Sequence, residues 1–283
     1  MLKPFGIIIA FSLACAAVGA QAAPPPATVT GLVKPESVVS APDGRLYVSE
    51  IGEFGTDGDG RVSVIDQNGK VRVFADGMND PKGLAFYGNT LYVADKTRVL
   101  AVGIDGKWSV FADAQAFPAP PQFLNDVEID ASGNLYVSDS GDLKGKGGVV
   151  YRIARNGKVT PVVDGARDAR VQAPNGLLMD GSAHLLMVDF VSGVLYRIKL
   201  RGGDMEKMAE GFGGGDGIVR GSKGVLYVSD WKNGKLYSVD KQGKVQLLQD
   251  GFQAAADIGL SADRKFILVP DMNAGELVWL TMP

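Results

Sequence analysis

Six short segments of this chain end alike: "RLYVSE" at Glu50, "TLYVAD" at Asp95, "NLYVSD" at Asp139, "HLLMVD" at Asp189, "VLYVSD" at Asp230 and "KFILVPD" at Asp271. Their acidic ends lie 41 to 50 residues apart. Most alternate apolar and polar residues, as a half-buried strand does. A short apolar strand precedes each. A second strand and a glycine turn follow most of them, as in "RVSVIDQNGK" and "KLYSVDKQGK", and then another strand such as "VRVFADG". Four turn-linked strands repeated at this period are one blade of a propeller, because a small sheet cannot bury both faces alone and must stack on copies of itself. The expected fold is all-β, a six-bladed β-propeller over residues 23–283. The last repeat stops at "GELVWLTMP", one strand short, and a bare sheet edge is a liability. "ATVTGLV", Ala27 to Val33, is the spare β-prone segment. The ring is therefore expected to be closed by this N-terminal strand, which completes the last blade.

The chain begins "MLKPFGIIIAFSLACAAVGAQAAPPP", with one Lys, an apolar run and an Ala-Gln-Ala site. This predicts a signal peptide over 1–22, cut after Ala22, and a periplasmic or secreted protein. The apolar run is too short to span a bilayer, so no stable membrane anchor is expected. Lipidation at Cys15 is the weaker alternative, because Leu stands one step too close to the Cys. Cys15 and His184 are the only Cys and the only His. The mature chain then has no thiol for catalysis or metal binding, and no multi-histidine zinc site. His184 reads as a plain turn residue. Net charge is −3 and no Lys/Arg run appears, so nucleic acid is not an expected partner.

One residue type looks out of place. "FLNDVEIDASGNLYVSDS" opens an apolar strand with Asn125-Asp126. Fourteen residues before Glu50, Asp139, Asp189, Asp230 and Asp271 stand Glu36, Asn125, Asn175, Asp216 and Asp257. In the second repeat, whose turn is one residue shorter, the equivalent is Lys82. The innermost strands of a propeller run along its central channel, so these six residues should ring one mouth of it. Carboxylates crowded there repel unless a cation relieves them. Carboxylate and carboxamide oxygens without His or Cys are hard ligands, suited to Ca²⁺ or Mg²⁺. The alternative is a solvated channel mouth. Convergence of six polar groups in a concavity favours a site. The acids that end the strands recur in every repeat and read as turn-holding groups rather than catalysts. Two loops, Ile51 to Arg61 and Gly141 to Gly148, should border the pocket by strand parity.

The segments "KPESVVSAPDGRLYVSE", "FLNDVEIDASGNLYVSDS", "APNGLLMDGSAHLLMVD" and "GGDGIVRGSKGVLYVSD" resemble the SMP-30/gluconolactonase/LRE-like family of six-bladed propellers. The resemblance implies that Glu36, Asn175 and Asp216 bind a divalent metal. Ca²⁺ is favoured, with Mg²⁺, Zn²⁺ and Mn²⁺ as alternatives. It implies that Asn125 faces the substrate and reaches the metal directly or through water. It also implies hydrolysis of a lactone or ester. Paraoxonase-type lactonases are similar in pattern, but they use a His dyad that one His cannot supply. Sugar-lactone members carry Arg where this chain has Phe123. An apolar group there turns the expectation away from polyhydroxylated lactones.

The function expected is thus a divalent-metal-dependent lactonase. Asp216 and Asn125 are the catalytic candidates, Asp216 as base with Asp257 in reserve. Asn125, Phe123, Lys82 and Asp257 are the substrate-facing candidates. Lys82 is expected to pair with Asp257 or Glu36, the alternative being a hold on a substrate carboxylate. Two rivals share the fold: a non-catalytic propeller that binds metal and a small ligand, and a metal-free scaffold like strictosidine synthase. The oligomeric state has no signal in the sequence.

Overall fold

Each repeated segment forms a strand in the computed structural model, which describes residues 27–41 and 43–283. The predicted leader, Cys15 and the triple proline lie outside the described residues. The strands make six four-stranded antiparallel sheets in a ring. In the first sheet the order outward is Pro35–Ser40, Leu46–Glu50, Gly60–Ile65 and Val71–Met78. The innermost strands of the other five are Pro81–Tyr87, Leu124–Ile129, Pro174–Asp180, Gly215–Arg220 and Gly259–Leu260. Each lies against the next, and the sixth lies against the first.

The apolar faces of neighbouring sheets form the core between blades. Ala85, Ala94 and Val99 of the second blade pack on Val127, Val137 and Ile153 of the third. Full burial of the valine and isoleucine side chains contributes roughly 1.5–3 kcal/mol each. The segment left over in the sequence has a place. Thr28–Thr30 pairs antiparallel with Glu276–Thr281 as the outermost strand of the sixth sheet, with Val29 opposite Leu277. Val29 and Leu32 are buried with Val38 and Val48 of the first blade.

The innermost strands explain the polar residues that open them. Their ladders to the second strand slip between Pro35 and Val38, Pro81 and Leu84, Leu124 and Val127, Pro174 and Leu177, and Gly215 and Ile218. Glu36, Lys82, Asn125, Asn175 and Asp216 each sit in such a bulge, free of the ladder and re-aimed toward the axis. The next residue has lost its ladder partner, and in three blades a serine replaces it. The amides of Ser37, Asp126 and Gly217 donate to Ser49, Ser138 and Ser229 Oγ at 2.9, 2.9 and 2.8 Å. This is a physical role for the Ser in the "YVSE" and "YVSD" repeats. Three blades carry glycine in the same layer for steric reasons, and a Cβ on the first, Gly83, would stand 2.5 Å from Asp126 Cα. A Cβ on Gly176 would stand 2.0 Å from Asp216 O, and one on Gly217 would stand 2.4 Å from Ile258 N. Glycine therefore lets the strands carrying Asn175 and Asp216 close on their neighbours.

The sixth blade departs from the expected alignment. Its inner turn runs from Ser261 to Phe266, one residue longer than the turn from Ala41 to Arg45 in the first blade. The count back from Asp271 that lands on Asp257 therefore stops one residue short. Ala255 bridges Asp271 as Pro35 pairs with Glu50, so the mouth position is Ala256. Asp257 falls in the layer below, bridged to Ser37 in parallel, and accepts from Ser37 Oγ at 2.6 Å. The predicted place of Asp257 at the mouth, as a substrate contact and reserve base, is corrected accordingly.

Candidate functional site

The acids that close the second strands position the mouth. Asp139 accepts from the amides of Gln122 and Phe123 at 3.0 and 2.8 Å. Asp95 accepts from Asn79 and Asp80, Asp189 from Gln172 and Ala173, and Asp271 from Gln253 and Ala254. In each case the acid holds the residues two and three before the mouth position. The match at Gln253 and Ala254 independently marks Ala256 as the sixth mouth residue. The sequence expectation of a turn-holding role for these acids agrees with this geometry.

A cavity of about 350 Å³ opens over the mouth, within the usual size of a small-molecule site. Glu36, Lys82, Asn125, Asn175 and Asp216 line its floor together with Phe123. Phe54 and Leu143 come from the two loops expected to border it. The rest of its wall was missed in the sequence. Ile51, Phe190, Trp231 and Met272 line it, and each directly follows one of the repeated acids. The position after the acid was the available signal, but residue type varies there too much to show as a motif. Ile51 and Met272 are buried with Ala256, and Trp231 packs on them, so the mouth is apolar on the sixth-blade side. The Trp231 indole N–H is directed to Met272 Sδ at 3.4 Å.

The floor carries buried charge with little internal satisfaction. Among the described residues, three buried side-chain atoms have no hydrogen-bond partner: Glu36 Oε2, Asn175 Oδ1 and Asp216 Oδ1. Burial pushes the Glu36 carboxyl well above the usual carboxylate range, with Asp216 and Asp257 adding to it and Lys82 opposing. Burial and then Asp126 do the same to Asp216, against the Asn175 amide. Leaving such oxygens bare in a low-dielectric site is costly. No three Asp, Glu, His or Cys side chains cluster as a metal set among the described residues. The unpartnered oxygens belong instead to two carboxylates and a carboxamide, a donor set that fits a hard divalent cation.

Asn125 is oriented by its neighbour. Its Nδ2 donates to Ser140 Oγ at 3.2 Å, and Ser140 Oγ donates to Pro174 O at 2.7 Å. With its one proton committed, the Ser140 hydroxyl can only accept from Asn125. The carboxamide oxygen is thereby left for the cavity. Ser140 was missed in the sequence as well.

Lys82 does not make the predicted ion pair. Its Nζ donates to Asp80 O at 3.0 Å and lies 4.2 Å from the Phe123 ring centroid. Neither Glu36 nor Asp257 comes within ion-pair distance of it. Asp257 lines a separate cavity on the far side of the ring with Asp126 and Glu128. Burial raises Asp126 to about 6 and Glu128 to about 8.

Comparison with known proteins agrees with this architecture. A profile of the SMP-30/gluconolactonase/LRE-like region matches residues 87–244. No curated protein sequence matches the chain. Among solved structures, a gluconolactonase from Xanthomonas campestris is similar at 16% identity and a TM-score of 0.73, with 89% of each chain covered. Regucalcin from Agrobacterium tumefaciens, described as a calcium-binding protein, is similar at 19% identity and a TM-score of 0.72, covering 89% of this chain and 90% of its own. Virginiamycin B lyase from Staphylococcus aureus gives 13% identity and a TM-score of 0.63, covering 90% and 98%. At such identities these likenesses speak to the fold alone.

Proposed function

Because the chain belongs to the SMP-30/gluconolactonase/LRE-like family, we propose that it is a divalent-metal-dependent lactonase acting on apolar rather than sugar lactones. The observation that carries this reading is the set of unpartnered oxygens on Glu36, Asn175 and Asp216, the same three residues that the family resemblance assigns to a metal. They would hold the cation, with the Asn125 carbonyl oxygen beside them; Ca²⁺ is the favoured ion, in keeping with the calcium-binding regucalcin of the same fold. When bound, the cation supplies Lewis-acid polarisation of a carbonyl.

The chain's own residues do the rest. Asn125, fixed through Ser140, orients the lactone. Asp216 takes a proton from the attacking water as that water adds to the carbonyl carbon. The ring C–O bond then breaks, and the ring oxygen receives that proton, giving the open hydroxy acid. The wall of Ile51, Phe190, Trp231 and Met272 offers apolar area and few polar groups to a substrate. A hydroxyl-rich ring placed there would lose its water without replacement.

The test is a panel of alkyl, aromatic and sugar lactones on the metal-loaded protein. Hydrolysis of the apolar members is expected. Absence of turnover across the panel, with metal bound, would replace the enzyme by a binding propeller. Trp231→Ala should raise KM for aromatic lactones about tenfold with kcat little changed, the mark of lost uniform binding; a fall in kcat alone would argue against a wall role. Asp216→Asn should lower kcat about a hundredfold or more at equal metal occupancy, the usual worth of a positioned base. If the loss vanishes once occupancy is matched, Asp216 is a ligand only.

A further inference from the structure

We propose that Lys82 and Phe123 form a subsite for one carboxylate carried by an otherwise apolar ligand. The inference rests on the metal-centred reading above and names its substrate class: a monoanionic lactone. Lys82 is 2% exposed yet lines the cavity floor. Of its three ammonium protons, one goes to Asp80 O. The Phe123 ring face offers a diffuse attraction. No carboxylate lies within ion-pair distance of it among the described residues. A buried cation without a counter-charge is costly unless something supplies one.

The nearby acids are committed elsewhere. Asp95 is paired with Arg98 at 2.8 Å, and Asp80 faces Lys96 at 4.0 Å. Glu36 and Asp216 together neutralise one divalent cation. Lys82 then leaves the floor with a single positive charge in excess, and a ligand with one carboxylate cancels it. The ring of Phe123 stands beside that carboxylate position and receives the carbon next to it. The opposite wall, Trp231, Met272 and Ile51, has one polar hydrogen, and Met272 already takes it. A run of hydroxyls on the ligand has no partner on that wall, and the other lysine lining the cavity, Lys232, is exposed to solvent with its Nζ 3.5 Å from Phe190 O.

The experiment is calorimetric binding of phenylacetate and of its neutral isostere phenylacetamide to the metal-loaded protein. The wild type is expected to bind phenylacetate about tenfold more tightly or better. In Lys82→Met, with metal content and melting temperature checked, the ratio should fall to about one while phenylacetamide affinity holds. Equal binding of the two probes by the wild type overturns the proposal. A preference that survives Lys82→Met also overturns it, since the carboxylate then sits on the cation. Should Lys82→Met fail to fold, Lys82→Gln is read in the same way, and equal binding of the two probes by the wild type still overturns the proposal without any variant. Loss of all lactone turnover with the preference intact removes the hydrolase reading and keeps this subsite as that of a binding propeller.

Discussion

Glu36→Gln is expected to uncouple the protein from its metal and to reverse the sign of a stability effect. Glu36 Oε2 is buried and unpartnered, and its pKa is raised chiefly by burial. Without metal, the folded state disfavours the charged form. That cost appears as pH rises above the unfolded pKa and grows until the raised folded pKa is reached. Metal-free Glu36→Gln should therefore melt higher than the metal-free wild type at pH 7. Addition of Ca²⁺ should then stabilise the wild type, by about 2.7 kcal/mol at a hundredfold excess over Kd, and the variant far less. Lactone turnover should fall about a hundredfold or more, the usual worth of one lost oxyanion-stabilising contact. Thermal melts with and without Ca²⁺, beside elemental analysis, check all three. Full occupancy in the variant would remove Glu36 from the ligand set.

Deleting residues 27–33 is expected to cost the fold several kcal/mol. Thr28–Thr30 covers the edge of Glu276–Thr281, and flanking amides of Leu32 and Trp279 donate to Gly275 O and Ala27 O, each at 3.0 Å. Val29 and Leu32 are buried against the first blade, roughly 1.5–3 kcal/mol apiece. Set against a total of about 5–15 kcal/mol, that loss should lower the melting temperature by about 10 °C or more. The bared edge should also promote association through strand pairing. An unchanged melting temperature would mean that the strand is dispensable to the ring.

Much of this arrangement was legible because the repeats share a ruler. The acids at Glu50, Asp95, Asp139, Asp189 and Asp230 tie down the chain at a fixed distance before the mouth, so counting back from them finds Glu36, Lys82, Asn125, Asn175 and Asp216. The same count failed at Asp257, because one added residue in the turn after Ser261 moves the register while leaving both strands plausible. In a strand, a shift of one residue sends a side chain to the other side. Trp231, Phe190, Met272 and Ile51 were not legible because they share a place but no chemistry. The partner of Lys82 was misjudged for another reason. Nearness around the ring does not say which side chains touch, and the ammonium settles on Asp80 O and the Phe123 ring.

The acid-to-amide ties have a consequence for how this molecule can change. In at least four blades the strut that fixes a mouth residue comes from the same blade, and in none of those four does it involve the mouth side chain itself. Each vertex of the mouth is therefore an exchangeable tooth on a fixed gear: swapping its side chain alters the chemistry at the axis without loosening the tie that holds it. Ala256 is the tooth left blank. A carboxylate placed there would add a third negative charge to the floor, and a cationic side chain a second positive one. The protein's choice of ligand can thus be retuned one slot at a time, with the remaining five kept in register.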